Sequence, residues 1–437
     1  MTTRVFSTTS DLGEHGLTLG LAPALTPAGV VDDPSFFHGF AAHPQVLARA
    51  LLTLADVTAT RYFQFTPSSL RDPVLTAHGD RLRAECFSAC NSVYARLDLL
   101  PDGIDGGTVA HGTTNVDIGP ATRTALAHMG RDRLLHLDVG RTGLTVSSPE
   151  ATVAERPVEM PGRWVRALGN VAELHHGLVP AFTVGAAHAK AFVASLPSAT
   201  STSRTGWLVA DRTGVRLTAR PTGGAVLVTG VHRLSAVKRL LPHVAGLTVH
   251  GSADAGPVVV ELALPGARLV LGLTEEAWRG HSGEGSLLTS LAGATVAEDA
   301  DLVSALLAFE PVIHVPDLVR GTGLDDTRVR AALAVLAADG RVGWDVHDAA
   351  WFHRELPHDP ERVEKDNPRL VGARRLVTDG AVSPAADGWS VRSRTGGPDH
   401  RVTAGGRCTC PWFLAHGTGR GPCAHVLAVQ ILTEASA

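Results

Sequence analysis

Three cysteines and one histidine lie close together near the carboxy-terminal end of the sequence. They are Cys408, Cys410, Cys423 and His425, and their spacing is Cys-x-Cys, twelve residues, then Cys-x-His. Thiolates and imidazoles are ligands that zinc prefers, and four of them complete its tetrahedral shell. The pattern therefore predicts one structural Zn²⁺ ion with no open position at which a water molecule could be activated.

Glycine and proline residues indicate how the chain could bring these ligands together. The glycine pair at 405–406 and Pro411 favour a bend near the first two cysteines. Pro422 suits the first turn of a helix, which would place the Cys-x-His pair at the helix start. His416, in the spacer, is the rival to His425 as fourth ligand. The alternative to a metal site is a set of unconnected buried thiols.

The four ligands and their flanking elements resemble the SWIM zinc finger, which has a β-β-α scaffold. The matching segments are "WSVRSRTGGPDHRVTAGG" for the hairpin and "PCAHVLAVQIL" for the helix. More loosely, "ECFSACNSVYARLDLL" and "GTTNVDIG" resemble segments of bacterial SWIM-finger proteins of about this length. The resemblance implies binding of DNA or protein rather than turnover. Because such proteins tend to be encoded beside MoxR-type AAA ATPases and von Willebrand A domain proteins, it also implies an AAA ATPase as a candidate partner.

The segment around the cysteines is basic, although the whole chain carries a formal charge of −4. From residue 369 to residue 437, eight arginines stand against four acidic residues. Such a balance favours an acidic partner, either nucleic acid or protein, and a merely solvated basic face is an equal alternative. The candidate partner-binding residues are Arg392, Arg394, Arg401, Arg407 and Arg420.

Residues 296–356 resemble a winged helix-turn-helix in the order of their predicted elements. The pattern predicts a short helix, a turn at 321–323, a longer helix capped by Asp325 or Asp326, and two strands joined at Asp348. From residue 310 to residue 354 five arginines stand against seven acidic residues, whereas phosphate binding favours an excess of positive charge. The charge favours a structural or protein-docking unit over a reader of duplex DNA.

The first 295 residues alternate between helical and strand patterns. Apolar spacing predicts a helix in "PQVLARALLTLADVTATRYF" and a helical hairpin over 162–196. Similar hairpins are expected at 141–147 and 212–218, and an antiparallel sheet with an inserted helix over 198–275. The fold class is therefore multidomain α+β: a β-rich and helical body, a winged-helix-like segment and a carboxy-terminal ββα finger. The predicted divisions are 1–120, 121–295, 296–356 and 357–437.

Composition and motif searches favour a cytoplasmic, non-catalytic protein. The sequence contains neither a long uncharged apolar run nor a secretory h-region, which favours the cytoplasm. Because thiols stay reduced in that compartment, clustered thiols indicate metal binding rather than disulfides. "GHSGEG" lacks the second glycine of a nucleophile elbow, and "GTGRG" lacks the Lys-Ser/Thr of a phosphate loop. The arginine excess over three lysines is interpreted as compositional bias. Two alternatives stay open: a DNA-binding protein that uses winged helix and finger together, and an enzyme with its site in the amino-terminal half.

Overall fold

The computed structural model describes most of the chain. The described residues are 35–64, 66–67, 72–158, 160, 162–202, 204–283, 285–292, 296–354, 356, 367–393 and 396–434. The backbones of four short strands before them form two hairpins, namely β1 (Asp11–Gly13) with β2 (Gly16–Thr18) and β3 (Ala24–Thr26) with β4 (Gly29–Val31).

Two antiparallel sheets make up most of the amino-terminal body. The smaller has five strands in the order β11-β5-β13-β14-β15, and the larger has eight in the order β12-β8-β9-β10-β22-β21-β20-β16. In the smaller sheet the strands are β5 (Ser35–Ala41), β11 (Ile104–Val109), β13 (His136–Gly140), β14 (Gly143–Ser147) and β15 (Thr152–Glu155). In the larger sheet they are β8 (Val74–His78), β9 (Leu82–Phe87), β10 (Val93–Leu99), β12 (His111–Asn115), β16 (Pro180–Gly185), β20 (Gly246–His250), β21 (Val258–Leu264) and β22 (Ala267–Leu273).

Smaller elements complete the body. A two-stranded pair, β6 (Thr60–Arg61) and β7 (Thr66–Pro67), follows the first helix, and a three-stranded sheet has the order β18-β17-β19. Its strands are β17 (Thr205–Asp211), β18 (Gly214–Thr218) and β19 (Val226–Thr229). The α-helices are α1 (Pro44–Thr58), α2 (Pro120–Ala127), α3 (Gly162–His175) and α4 (Ala186–Ser195), and the 3₁₀ helices are Pro101–Gly103, Val231–His243, His281–Gly283, Ser286–Leu288 and Ser290–Ala292.

Several local predictions for the body are confirmed. The helix expected in "PQVLARALLTLADVTATRYF" is α1, which buries most of its apolar side chains. The similar hairpins are β13–β14 and β17–β18, each joined by a two-residue loop. Gly143 and Gly214 follow these loops with φ of 120° and 128°, a conformation that side-chain-bearing residues rarely adopt.

Two predictions for the body are wrong in detail, and a third, the inserted helix, is confirmed. The expected helical hairpin over 162–196 is interrupted by β16, because Gly177 turns the chain after α3 and residues 180–185 pair with β20. The inserted helix predicted within 198–275 is the 3₁₀ helix Val231–His243, which contains Pro242 near its end. The strands expected to form one sheet over 198–275 divide between the three-stranded and eight-stranded sheets.

The predicted division at residue 120 does not separate two sheets. Both large sheets combine strands from either side of it, since β10 pairs with β22 and β5 pairs with β13. One hydrophobic core accordingly extends over described residues from 36 to 273 and also contains Leu356. Strand pairing over such sequence distances leaves no local pattern in the sequence.

The carboxy-terminal part has its own hydrophobic core. It begins with α5 (Val296–Ser304), α6 (Val315–Thr322), α7 (Asp326–Ala338) and the hairpin β23 (Val342–Asp345) with β24 (Ala350–His353). The Asp325 side chain caps α7 by accepting from the Arg328 N–H at 2.9 Å, so the predicted cap is confirmed for this residue. The finger follows with α8 (Pro368–Thr378), β25 (Val382–Ala385), β26 (Gly388–Val391), β27 (His400–Thr403), α9 (Pro411–His416) and α10 (Ala424–Glu434).

A buried network of charges joins the β23–β24 hairpin to the eight-stranded sheet. Asp345 ends β23, and its carboxylate accepts hydrogen bonds from Arg83 at 2.8 Å and Arg268 at 2.9 Å. Arg96 Nη2 lies 2.7 Å from the other oxygen of Asp345. Asp98 of β10 pairs with the same three arginines. All five side chains are buried, so the hairpin and the sheet depend on each other for charge compensation.

None of the helices in the described part of the chain is both long and apolar enough to cross a bilayer.

Candidate metal centre

The first ligand pair follows β27 through a tight turn. Gly406 has a φ of 73°, and its N–H donates to the Thr403 carbonyl at 2.9 Å. This turn folds Cys408 back against Val402 in an antiparallel bridge. Cys410 then occupies the position before α9, where its sulfur accepts from the Phe413 N–H at 3.4 Å. The predicted bend is therefore built from the glycine turn and the start of a short helix.

The second ligand pair lies at the start of α10. Cys423 immediately precedes this helix, and its carbonyl accepts from the Leu427 N–H at 3.0 Å. His425 lies in the first turn, as the position of Pro422 predicted. The helix thus fixes both side chains relative to each other, while packing of α10 on α8 fixes them in the finger.

The four ligand atoms have the spacing of a tetrahedral zinc site. All lie within 4.8 Å of one another. His425 Nδ1 is 3.8 Å from Cys408 Sγ and 4.0 Å from Cys423 Sγ. A tetrahedron with Zn–S of about 2.3 Å and Zn–N of about 2.0–2.1 Å separates N and S by roughly 3.6 Å. The cluster therefore fits one structural zinc, with His425 binding through Nδ1.

Hydrogen bonds prepare the sulfurs for a cation. The Cys410 N–H donates to Cys408 Sγ at 3.4 Å. A hydrogen bond from Cys408, together with one from His425, lowers the pKa of Cys423 to about 4 despite burial. The hydrogen bond to Cys423 and burial raise the pKa of Cys408. One thiolate is thus favoured before metal binding, and a bound dication would favour deprotonation of the remaining thiols.

His400 is a neighbour of the site that the sequence interpretation missed. Its ring centroid lies 4.4 Å from that of His425. Burial, followed by the neighbouring His425, lowers the pKa of His400, so it packs beside the ligand as a neutral ring. The alternation of β27 could have found it, because His400 and the buried Val402 share one face of the strand.

The rival ligand His416 is placed elsewhere. It ends α9 as an exposed residue, with its ring 5.0 Å from that of Trp412. The group of four ligand atoms comprises His425 and not His416. Cys86 and Cys90, the remaining cysteines, lie on β9 and in the turn after it, and Cys90 accepts from the Tyr62 N–H at 3.3 Å.

The arginines predicted to bind a partner lie in different surroundings. Arg401 and Arg407 are exposed beside the metal ligands. Arg392 is also exposed, but its guanidinium donates to the Gly380 carbonyl at 3.1 Å at the end of α8. Arg420 is half-buried, 5.0 Å from the ring centroid of Trp278 in the body. Arg394 lies outside the described residues.

Two further arginines hold the spacer between the ligand pairs, and sequence analysis did not single them out. Arg369 of α8 donates to the carbonyls of Arg420 at 2.7 Å and Pro422 at 3.0 Å. Its guanidinium also lies 4.6 Å from the Trp412 ring centroid. Arg279, from the body, donates to the Gly419 carbonyl. The spacer is therefore held from the finger side and from the body side.

Similar proteins were found for parts of the chain. An uncharacterized protein of Archaeoglobus fulgidus is 49% identical over 35 residues, which are 8% of this chain and 31% of that protein. Proliferating Cellular Nuclear Antigen from Entamoeba histolytica is similar in structure over 55% of this chain and 99% of its own, with 14% identity and a TM-score of 0.37. The PCNA2-PCNA3 complex from Sulfolobus tokodaii gives 55% and 98% coverage, 10% identity and a TM-score of 0.40.

The family model of the SWIM zinc finger matches residues 396–431, which contain all four ligands. The matched residues contain β27, the glycine turn, α9 and most of α10. Residues 396–431 are therefore a SWIM zinc finger, carried by a much larger α+β chain.

Proposed function

We propose that this chain is a non-catalytic adaptor whose SWIM finger forms a recognition surface for an acidic partner. The observation that carries the proposal is the closed ligand set: four protein side chains complete the shell of one zinc, so the ion has a structural role. Zinc would fold the finger, and the body would hold it through Arg279 and Trp278.

The recognition surface would consist of the exposed residues around the metal. Arg401 of β27 and Arg407 on the turn after this strand supply positive charge. Leu414 of α9 is 75% exposed, an unusual degree for a large apolar side chain in a short helix. Arginine is enriched in protein-binding surfaces, and an exposed leucine adds apolar contact area of a kind that phosphate contacts do not use. We therefore place a protein ahead of nucleic acid as the partner.

The element order α6–α7–β23–β24 supports a winged-helix-like unit, but its packing favours docking over DNA reading. Residues 332–337 of α7, which would be its recognition helix, are buried, and this helix packs against α3 and α5. Arg328 pairs with Asp299, and Arg330 pairs with Asp326 within α7. A recognition helix must present free side chains to the major groove. The unit thus serves to connect body and finger.

The resemblance to SWIM-finger proteins encoded beside MoxR-type ATPases adds an AAA ATPase to the candidate partners. Such a partner would engage the finger while the body remains available for other contacts. An acidic patch on the ATPase is the feature this proposal requires.

The test is recovery of partners by the tagged full-length chain from its own host. The finger variant Arg401→Gln/Arg407→Gln should lose a bound polypeptide that survives nuclease treatment. The control Arg212→Gln/Arg220→Gln removes the same charge from exposed positions on the body and should retain it. Equal recovery by both variants, or material that only nuclease removes, would contradict a protein-binding finger.

A measurement of binding to duplex DNA distinguishes the protein-binding proposal from the alternative of DNA binding. Fluorescence anisotropy with a 20-bp duplex should show little binding at 150 mM salt. Affinity that falls steeply between 50 and 200 mM salt, and that depends on Arg401 and Arg407, would instead support DNA binding by the finger.

A further inference from the structure

A cavity on the body is lined by several basic residues, all far from the finger in the sequence. It has a volume of about 490 Å³, which is within the usual range for small-molecule sites. Arg131, Lys190, His43 and His243 line it, and Arg49 joins them through a contact of 3.4 Å between its Nη1 and His243 Nε2. The described lining contains no acidic residue. The positive charge is therefore not compensated by the cavity wall.

Two helices begin at the same cavity. Pro44, Gln45 and Val46 of the first turn of α1 line it, as does Ala186, the first residue of α4. Neither helix has an acidic residue in its first turn. The N–H groups of the first turn and the positive end of the helix dipole favour an anion. They reinforce the arginine and lysine side chains.

The pKa of His243 reflects the same concentration of positive charge. Burial lowers the pKa of His243, and the nearby Arg49, Arg131 and Lys190 lower it further. A neutral His243 that accepts from Arg49 at Nε2 carries its proton on Nδ1 and stays a hydrogen-bond donor. The neighbourhood thus repels another cation and offers donors to an anion.

The remaining wall is apolar. The cavity lining also includes the apolar residues Pro242, Val244, Ala245 and Pro265. Their side chains offer contact area and need no hydrogen-bond partner. A small inorganic anion would leave most of this wall uncovered. A phosphate attached to an organic group would fill both parts of the cavity.

We propose that this cavity binds a phosphate-bearing small molecule, with the phosphate at Arg131, Lys190 and the starts of α1 and α4. This inference does not depend on the adaptor role of the finger. A nucleoside monophosphate and free inorganic phosphate share the recognised chemistry, and the measurement distinguishes them.

The experiment is isothermal titration of the zinc-loaded full-length chain with AMP and, separately, with inorganic phosphate at low ionic strength. These probes are chosen because they chelate zinc weakly. Arg131→Gln/Lys190→Gln should weaken phosphate-dependent binding at least about tenfold, since two charges near the phosphate are lost. Lys238→Gln with Arg141→Gln removes the same charge from positions outside the cavity lining and should leave binding unchanged.

A second variant removes binding without unfolding the chain. Ala186→Glu places a carboxylate in the first turn of α4, where it stabilises the helix but repels a phosphate. We expect loss of measurable binding with an unchanged or higher melting temperature. Tighter binding of AMP than of phosphate assigns an organic phosphate, and equal affinities assign the phosphate group alone. Undetectable binding of both probes at millimolar concentration, or equal affinity of the cavity and control variants, would overturn the proposal.

Discussion

Asp345→Asn is expected to destabilise the attachment of the β23–β24 hairpin by about 3–5 kcal/mol, the range for removing one partner of a buried ion pair. The carboxylate has no exposed surface, and nitrogens of three arginines lie within 2.9 Å of its oxygens. An amide keeps the shape but loses the charge, and its NH₂ group would face guanidinium donors. Asp98 would then be left alone to compensate three buried guanidinium groups.

Asp348→Asn in the same hairpin is the matched control. The Asp348 side chain is 21% exposed, pairs with Arg81 at 3.1 Å and lies 3.9 Å from Arg268 at the edge of the network. A partly exposed pair contributes about 1 kcal/mol or less. Both variants remove one negative charge from the same hairpin. The difference between their losses of stability therefore reports mainly the burial of Asp345.

Thermal unfolding followed by tryptophan fluorescence measures the effect, because the hairpin carries two of the chain's seven tryptophans. Trp344 and Trp351 lie on the hairpin with ring centroids 5.4 Å apart. For an unfolding unit of 150–250 residues, 1 kcal/mol corresponds to a shift of about 2–4 °C, so Asp345→Asn should lower the transition by roughly 6–20 °C. A shift no larger than that of Asp348→Asn would refute the idea that the buried network holds the hairpin.

The pKa of Asp345 determines how the stability of the buried network depends on pH. Burial alone would raise the pKa of Asp345, but Arg96 and Arg83 hold it well below its usual range. A depressed carboxyl pKa adds stability that is present above the unfolded pKa of about 3.9 and is lost as the pH falls through the lower folded pKa. The wild-type network should therefore remain intact at pH 5 and fail only in stronger acid.

Further predictions concern the metal and a buried histidine. Cys423→Ser should lose zinc and unfold the finger while the body stays folded, and His416→Ala should retain one zinc by metal analysis. Arg369→Leu should lower zinc affinity about tenfold in a competition assay, because its contacts hold the spacer, whereas Arg375→Leu on the same helix should not. Burial lowers the pKa of His281 to about 4, so its contribution to stability should fall by about 3 kcal/mol from pH 6.5 to pH 4, and His281→Gln should flatten this slope in thermal melts.

Local patterns in the sequence predicted what depends on a few neighbouring residues. The ligand arrangement follows from a glycine turn, a proline at a helix start and four liganding side chains, all within about thirty positions. Helix α1, the Asp325 cap and the two-residue hairpin loops likewise carry their signals within one or two turns of chain. Such features are dictated by backbone sterics and short-range hydrogen bonds.

Long-range pairing escaped the sequence analysis. The segment 180–185 is a strand only because residues 246–250 present an edge to it. The α9 helix in the spacer was not predicted either, since its six residues carry too little periodicity. Arginines were interpreted as compositional bias, yet Arg83, Arg96 and Arg233 are among the largest fully buried side chains. Arg83 and Arg96 share Asp345 on the distant strand β23, and Arg233 donates to the carbonyls of Ser92 and Thr274. Sequence neighbours alone therefore could not distinguish these buried charges from surface charges.

The position of the spacer explains why a saturated zinc could still matter to the whole chain. Four ligands from two segments bring Cys410 and Cys423 together, and the chain between them must then form a loop. The carbonyls of this loop accept hydrogen bonds from Arg369 and, across the boundary, from Arg279 of the body. Because loss of the metal would free both ends of the loop, it should weaken these contacts at the same time. We therefore expect a bound zinc to couple the fold of the finger to its docking on the body.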